Sequence, residues 1–249
     1  MKKVIVLGGS SGIGKAIAQR FAAENWQVLI ACESMQKAKA ALNELKGNKH
    51  HAFETDVRNE EQVNALGDFV KEELGDFDVL INSVGISEGK PITGSDFKEW
   101  DNTLQVMLYG TVRSARALIP LMKDGGRIIH ITSIHHNRVA ANSSAYGMAK
   151  AAVTQFTRSL AVEMASRNIL VNAIAPGFVD TPMSVKADGK NELLSEWFTD
   201  NYIRYDHLPL KRAGHPEEIA GVAYFLSGPD ASYMTGSVVT VDGGLTITF

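Results

Sequence analysis

Val4-Ile5-Val6-Leu7-Gly8-Gly9-Ser10-Ser11-Gly12-Ile13-Gly14 is the stretch that decides the fold. Its first four residues are apolar and mostly β-branched, which suits a parallel strand buried on both faces. They run straight into a glycine-rich turn. Beyond the turn, Ile13, Ile17, Ala18, Phe21 and Ala22 fall on one face of a helix. Strand, glycine turn and helix together make a dinucleotide cradle. Glycines let the backbone approach a pyrophosphate, and the helix N-terminus favours its charge. The spacing is Gly8-x-x-x-Gly12-x-Gly14 rather than the tighter G-x-G-x-x-G form. A tight turn without a ligand is the other reading. The position at the head of a βα-alternating chain favours the nucleotide.

The alternation continues throughout. Apolar, β-rich runs predict strands near 3–7, 27–31, 50–54, 79–82, 127–132, 170–175 and 238–241. Helical periodicity predicts helices near 12–23, 35–45, 60–74, 97–122, 145–166 and 216–226. Right-handed crossovers then give an α/β fold: one Rossmann-type domain over 1–249, with a doubly wound, seven-stranded parallel sheet flanked by helices. Its ligand crevice lies at the carboxyl ends of the strands. The rhythm breaks over residues 177–214, which carry Met183, Trp197, Phe198, Tyr202 and Tyr205 among polar residues. A long insertion beside a crevice is expected to act as a substrate lid. A helical excursion packed on the body is the alternative.

A second stretch carries chemistry. In Ser144-Ala145-Tyr146-Gly147-Met148-Ala149-Lys150 the tyrosine and lysine stand at i and i+4, on one helical face. An ammonium beside a phenol favours the phenolate and is expected to pull the Tyr146 pKa down from about 10. A tyrosine tuned in that way exchanges a proton with an alcohol or a carbonyl. Ser133, at the end of a strand-like run, supplies a hydroxyl for the same substrate oxygen.

With these motifs in place, the chain resembles the short-chain dehydrogenase/reductase family, of the compact single-domain type, over nearly its whole length. The family's glycine motif matches Gly8, Gly12 and Gly14, and its Asp-Val pair at the adenine matches Asp56-Val57. Its Asn-Asn-Ala-Gly motif is matched in part by Asn82-Ser83-Val84-Gly85, and its Ser, Tyr and Lys by Ser133, Tyr146 and Lys150. Its Pro-Gly matches Pro176-Gly177, with Val179 and Thr181 following. The resemblance implies an NAD(P)-dependent oxidoreductase that interconverts a secondary alcohol and a ketone by hydride transfer. Tyr146 would be the general acid/base, Ser133 would hold the substrate oxygen, and Lys150 would tune the tyrosine and grip the nicotinamide ribose. Ser10, Ser11 and Ile13 join the glycines at the cofactor, as do Asn82, Ser83 and Gly85. Pro176, Gly177, Val179 and Thr181 would hold the carboxamide end. Many relatives of this pattern reduce 3-oxoacyl thioesters; others oxidise sugars, polyols or steroids. The resemblance also implies a homotetramer, or a homodimer, paired through the two long helices.

The departures from the family pattern point to a second reading. Leu7 stands where the family has Thr, Ser83 and Val84 replace Asn and Ala, and Met107 occupies the place of an Asn that completes a proton relay. A thioether accepts weakly and cannot donate, so the relay runs through another group or runs slowly. A cofactor-binding sensor or scaffold with impaired turnover is therefore the alternative to an enzyme. Cofactor choice rests on Ala31-Cys32-Glu33-Ser34. Glu33 would repel a 2′-phosphate and accept from a ribose hydroxyl, which favours NAD over NADP. Lys15 and Lys37 are the counter-arguments.

Composition excludes several classes. The net charge of −3 leaves no basic field for nucleic acid. The single cysteine, Cys32, rules out an internal disulfide and fits a reducing, cytoplasmic compartment. No apolar run approaches the roughly 20 residues that cross a bilayer. No metal is expected, since His50-His51 and His135-His136 lack the spacing of a site. His135 and His136 either face the substrate or are polar loop residues.

Overall fold

Seven strands pair in parallel in the order β3-β2-β1-β4-β5-β6-β7. They are β1 Lys3–Leu7, β2 Gln27–Cys32, β3 His51–Glu54, β4 Phe77–Asn82, β5 Met122–Ile131, β6 Leu170–Pro176 and β7 Val238–Val241. The protein is described here from a computed structural model, which covers residues 1–86, 90–186 and 188–248. From β1 the chain steps outward through β2 to β3, then returns to lay β4 against the other side of β1. That reversal opens a crevice beyond the carboxyl ends of β1 and β4, where open α/β sheets bind ligands.

The two faces of the sheet are read from the alternation of side chains along each strand. Val4, Val6, Val28, Ile30, Val79 and Ile81 point to one face. There they pack on α1 (Gly12–Ala23), α2 (Met35–Leu42) and α8 (Pro216–Leu226). Ile5, Leu7, Leu29 and Leu80 point to the other. They meet α3 (Glu60–Phe69), α5 (Gly110–Leu118) and α6 (Ser144–Glu163). Burial on both faces is why the strands carry unbroken apolar runs. Phe21 is fully buried and packs edge-on against Trp26 at 4.9 Å and Tyr224 at 5.4 Å. Its burial alone contributes about 1.5–3 kcal/mol.

Several predicted bounds move. The helix expected over 35–45 ends at Leu42. The one expected over 60–74 winds its last turn, Val70–Leu74, as a π-helix closed by Gly75 at φ +71°. The long helix expected over 97–122 is α4 (Phe97–Leu104), a π-turn over Gln105–Tyr109, and then α5. Pro120 stops it in a short 3-10 turn, so β5 begins at Met122. The described residues of 177–214 form mostly short turns, among them α7 (Glu196–Phe198). Phe198 and Leu208 of this segment bury against Ile134 and Leu245, so it packs on the body at its base. Among the described residues no helix is long and apolar enough to cross a membrane.

Candidate active site

β5 and α6 bring the three chemistry-bearing side chains together. Just past β5, Thr132 is clamped to β6, its backbone N–H donating to the Ile174 carbonyl at 2.7 Å and its hydroxyl donating there at 2.9 Å. That fixes the bearing of Ser133, which is buried and accepts from the His135 backbone N–H at 3.2 Å. α6 begins one residue after Ser143 and places Tyr146 and Lys150 on the same face. Tyr146 forms a side-chain hydrogen bond with Ser133. Lys150 is 6% exposed; its ammonium donates to the Ile131 carbonyl at 2.9 Å and lies 5.6 Å from the centre of the Tyr146 ring.

The expected depression of the tyrosine pKa is not what this arrangement produces. Burial raises Tyr146 above its ordinary value, and the hydrogen bond with Ser133 opposes that rise. Lys150 is itself desolvated, and its ammonium is turned onto a backbone carbonyl rather than onto the phenol oxygen. Burial lowers its pKa from 10.5 to about 8.

This gives a prediction for the unliganded protein. Below about pH 8 both the folded and the unfolded chain hold the Lys150 proton, and the folded protein bears the full desolvation cost. Between about 8 and 10.5 the unfolded chain keeps a proton that the folded one has released, so stability rises with pH. Measured by denaturant unfolding against Lys150→Met, the wild type should gain stability across that window, by a total on the order of 3 kcal/mol. A flat difference would mean that the ammonium is well solvated.

All three side chains open onto a cleft of about 810 Å³ that also holds the glycine turn. Its walls include Gly8, Ser10, Ser11, Gly12, Ile13, Glu33, Asp56, Val57, Ser83, Gly85, Pro176, Gly177, Val179 and Thr181. The backbone is drawn in so tightly that a Cβ on Gly8, at φ +74°, would lie 2.8 Å from the Ser83 carbonyl oxygen. A cleft of this length, floored by glycine backbone at a helix N-terminus, fits a dinucleotide. Two predicted residues are not on the wall. Gly14 lies beneath it, packed against the Gly8 carbonyl. Asn82 is buried, donating from Nδ2 to Thr111 Oγ1 at 2.9 Å and accepting from the Val84 N–H at 3.1 Å. It shapes the cleft by tying β4 to α5.

Met107 sits inside the π-turn, 2% exposed, packed among Val57, Val106 and Ala149. Its side chain is core, while its carbonyl accepts from Thr111 Oγ1 at 2.6 Å. Beside Glu33 and Asp56 on the cleft wall, sequence reasoning missed Arg58. Its guanidinium pairs with Asp56 at 2.7 Å and donates to Asn102 Oδ1 at 2.9 Å, holding the Asp56 carboxyl below its ordinary range. Its place two residues after Asp56 was the available signal. At the substrate end Phe178, Met183, Ser184, Glu192 and Leu193 line the cleft from the 177–214 segment.

Comparison with known proteins agrees with this architecture. A family model described as enoyl-(acyl carrier protein) reductase matches residues 8–246. The 3-oxoacyl-[acyl-carrier-protein] reductase FabG of Aquifex aeolicus is 36% identical over 249 residues, covering 98% of this chain and 97% of that protein. Among solved structures, ligand-free aldohexose dehydrogenase of Thermoplasma acidophilum superposes with a TM-score of 0.85 at 33% identity, over 99% of this chain and 94% of the other. A variant of actinorhodin polyketide ketoreductase with NADPH superposes at 0.88 with 29% identity, over 98% and 97%.

Proposed function

Because the chain belongs to the short-chain dehydrogenase/reductase family, we propose that it interconverts a secondary alcohol and a ketone with Tyr146 as the general acid/base. The observation that carries this reading is the meeting of Ser133, Tyr146 and a buried Lys150 in the same cleft as the glycine turn. A nicotinamide cofactor, when bound, supplies the hydride chemistry. The chain's own residues do the rest. Tyr146 gives or takes the proton at the substrate oxygen. Ser133 donates to that oxygen and to the charge that develops on it. Lys150 has three N–H donors, of which the Ile131 carbonyl engages one; the others serve ribose hydroxyls. Ser10, Ser11, Gly12 and Ile13 serve the pyrophosphate. Asp56 and Val57 serve the adenine. Pro176, Gly177, Val179 and Thr181 serve the carboxamide. Following nicotinamide absorbance against a panel of ketones and 3-oxoacyl thioesters tests the activity; cofactor oxidation matched by ketone reduction is the expected result. The sensor reading gains nothing from the geometry, since a scaffold has no need of the Ser133–Tyr146 pair.

NAD is the preferred cofactor of this reading. Glu33 faces the adenosine end, where it also acts on Arg58. Of the cations near that end, Lys15 is engaged by Glu44 at 2.7 Å and Arg58 by Asp56, while Lys37 lines the cleft and remains the counter-argument. Glu33→Arg is therefore expected to shift the ratio of NADH to NADPH affinity at least about tenfold toward NADPH, roughly 1.4 kcal/mol. Titration of nicotinamide fluorescence reads the shift, and an unchanged ratio would remove Glu33 from the recognition.

The substrate of this reading is a ketone with an apolar body. Phe178, Met183 and Leu193 on the cleft wall support that class. A 3-oxoacyl thioester fits the class and is the natural first candidate given the FabG relative. Residues 177–214 would act as the lid of a single domain. A homotetramer, or a dimer, is supported by the exposed Tyr109, Met148 and Val162 on the helices that carry the site. The cytoplasm suits the lone, buried Cys32 thiol.

A further inference from the structure

His135 stands two residues past Ser133, in the short turn Ile134–His136. Its backbone N–H is tied to Ser133 Oγ, and the His136 N–H donates to the Ser133 carbonyl at 2.9 Å, so the imidazole leaves the backbone at a fixed bearing. The ring meets Tyr146 edge to face, with centres 5.6 Å apart and planes at 89°. Its Nδ1 is buried and finds no nitrogen or oxygen partner. A buried polar nitrogen left without a partner is destabilising. The perpendicular arrangement of the two rings is one that aromatic quadrupoles favour.

We infer that His135 is a positioning residue acting through Tyr146: its imidazole holds the phenol toward Ser133 and stabilises the phenolate. The inference rests on the reading of Tyr146 as the acid/base. No charge on the histidine is required, because burial keeps its pKa below the ordinary value and the ring neutral near pH 7. Ser133 also meets the phenol, by a side-chain hydrogen bond that lowers its pKa. Lys150 meets it from α6. Tyr146 also packs on an apolar cluster built from Val57, Val106, Met107 and Ala149.

The test is the pH profile of kcat/KM for alcohol oxidation. In that direction the phenolate accepts the proton, so the rate rises with pH through the Tyr146 pKa. His135→Phe keeps an aromatic ring and removes the polar edge. It should move this limb upward by about half to one pH unit, the scale of one lost neighbouring dipole, with the high-pH plateau within about threefold. His135→Asn, which returns an amide near the place of Nδ1, should bring the limb at least halfway back. Should the Phe variant fail to fold, His135→Leu carries the same expectation. A limb that stays in place in the Phe or Leu variant overturns the inference, as does an equal shift in the Asn variant. Tyr146→Phe run alongside separates the two levels: near-normal turnover there sinks the acid/base reading itself, not merely the role of His135.

Discussion

Tyr146→Phe should lower turnover by at least about 100-fold, the scale of lost general acid/base catalysis, while cofactor affinity stays within about twofold of wild type. The substitution keeps the ring that packs on Met107 and Ala149 and the edge contact with His135, so the local fold has no reason to move. It removes one oxygen, the one hydrogen-bonded with Ser133. Neither neighbour replaces it. The Ser133 hydroxyl is far too weak an acid to give up its proton near neutrality. The Lys150 ammonium keeps one N–H on the Ile131 carbonyl, and in the proposed reading its others serve ribose hydroxyls. Rates from single-turnover mixing, with cofactor binding followed by nicotinamide fluorescence, separate the two quantities. Near-normal turnover would show that the proton travels by another group.

The same residue marks a limit of sequence reasoning. The i, i+4 spacing of Tyr146 and Lys150 correctly put both on one face of α6, because helical periodicity is local. The sign of the electrostatics did not follow from spacing. The lysine reaches past the phenol to a carbonyl of β5, and the desolvation that both groups suffer comes from elements far away in sequence. The first strand and its glycine turn were legible for the opposite reason. Their signal is a short apolar run followed by residues tolerant of positive φ, and both are local properties. The π-turn over Gln105–Tyr109 was not legible. Its residues have ordinary helical propensity, and the π-turn is accompanied by the burial of Met107 in the cluster with Val57, Val106 and Ala149 and by the Thr111 hydroxyl on the Met107 carbonyl. Arg58 was missed because a guanidinium after an Asp-Val pair reads as a solvated charge until Asn102 of α4 is seen to close over it.

The glycine turn carries the other large effect. A Cβ on Gly14 would sit 2.2 Å from the Gly8 carbonyl oxygen and 2.9 Å from its carbon, both backbone atoms. No rotamer change relieves such a contact, so Gly14→Ala must push the first turn of α1 away from the end of β1. Gly8 cannot yield readily. It holds φ +74° and is itself close against the Ser83 backbone. The displaced segment is the one whose N–H groups would face the pyrophosphate. Cofactor affinity should therefore fall at least about 100-fold, near 2.7 kcal/mol, alongside an overpacking cost of about 1–3 kcal/mol in stability. Gly67→Ala in α3 is the control. There the nearest atom to an added Cβ is 3.5 Å away, an ordinary contact, and exchanging glycine for alanine inside a helix should stabilise by about 0.5–1 kcal/mol without touching cofactor binding. Thermal unfolding without cofactor measures the stability cost, and fluorescence titration of the folded fraction measures affinity. The comparison of the two glycines makes the outcome specific. A Gly14→Ala protein that folds and binds the cofactor as wild type does would mean that the tight approach of α1 to β1 serves helix–strand packing alone, and the turn would lose its claim as the phosphate cradle.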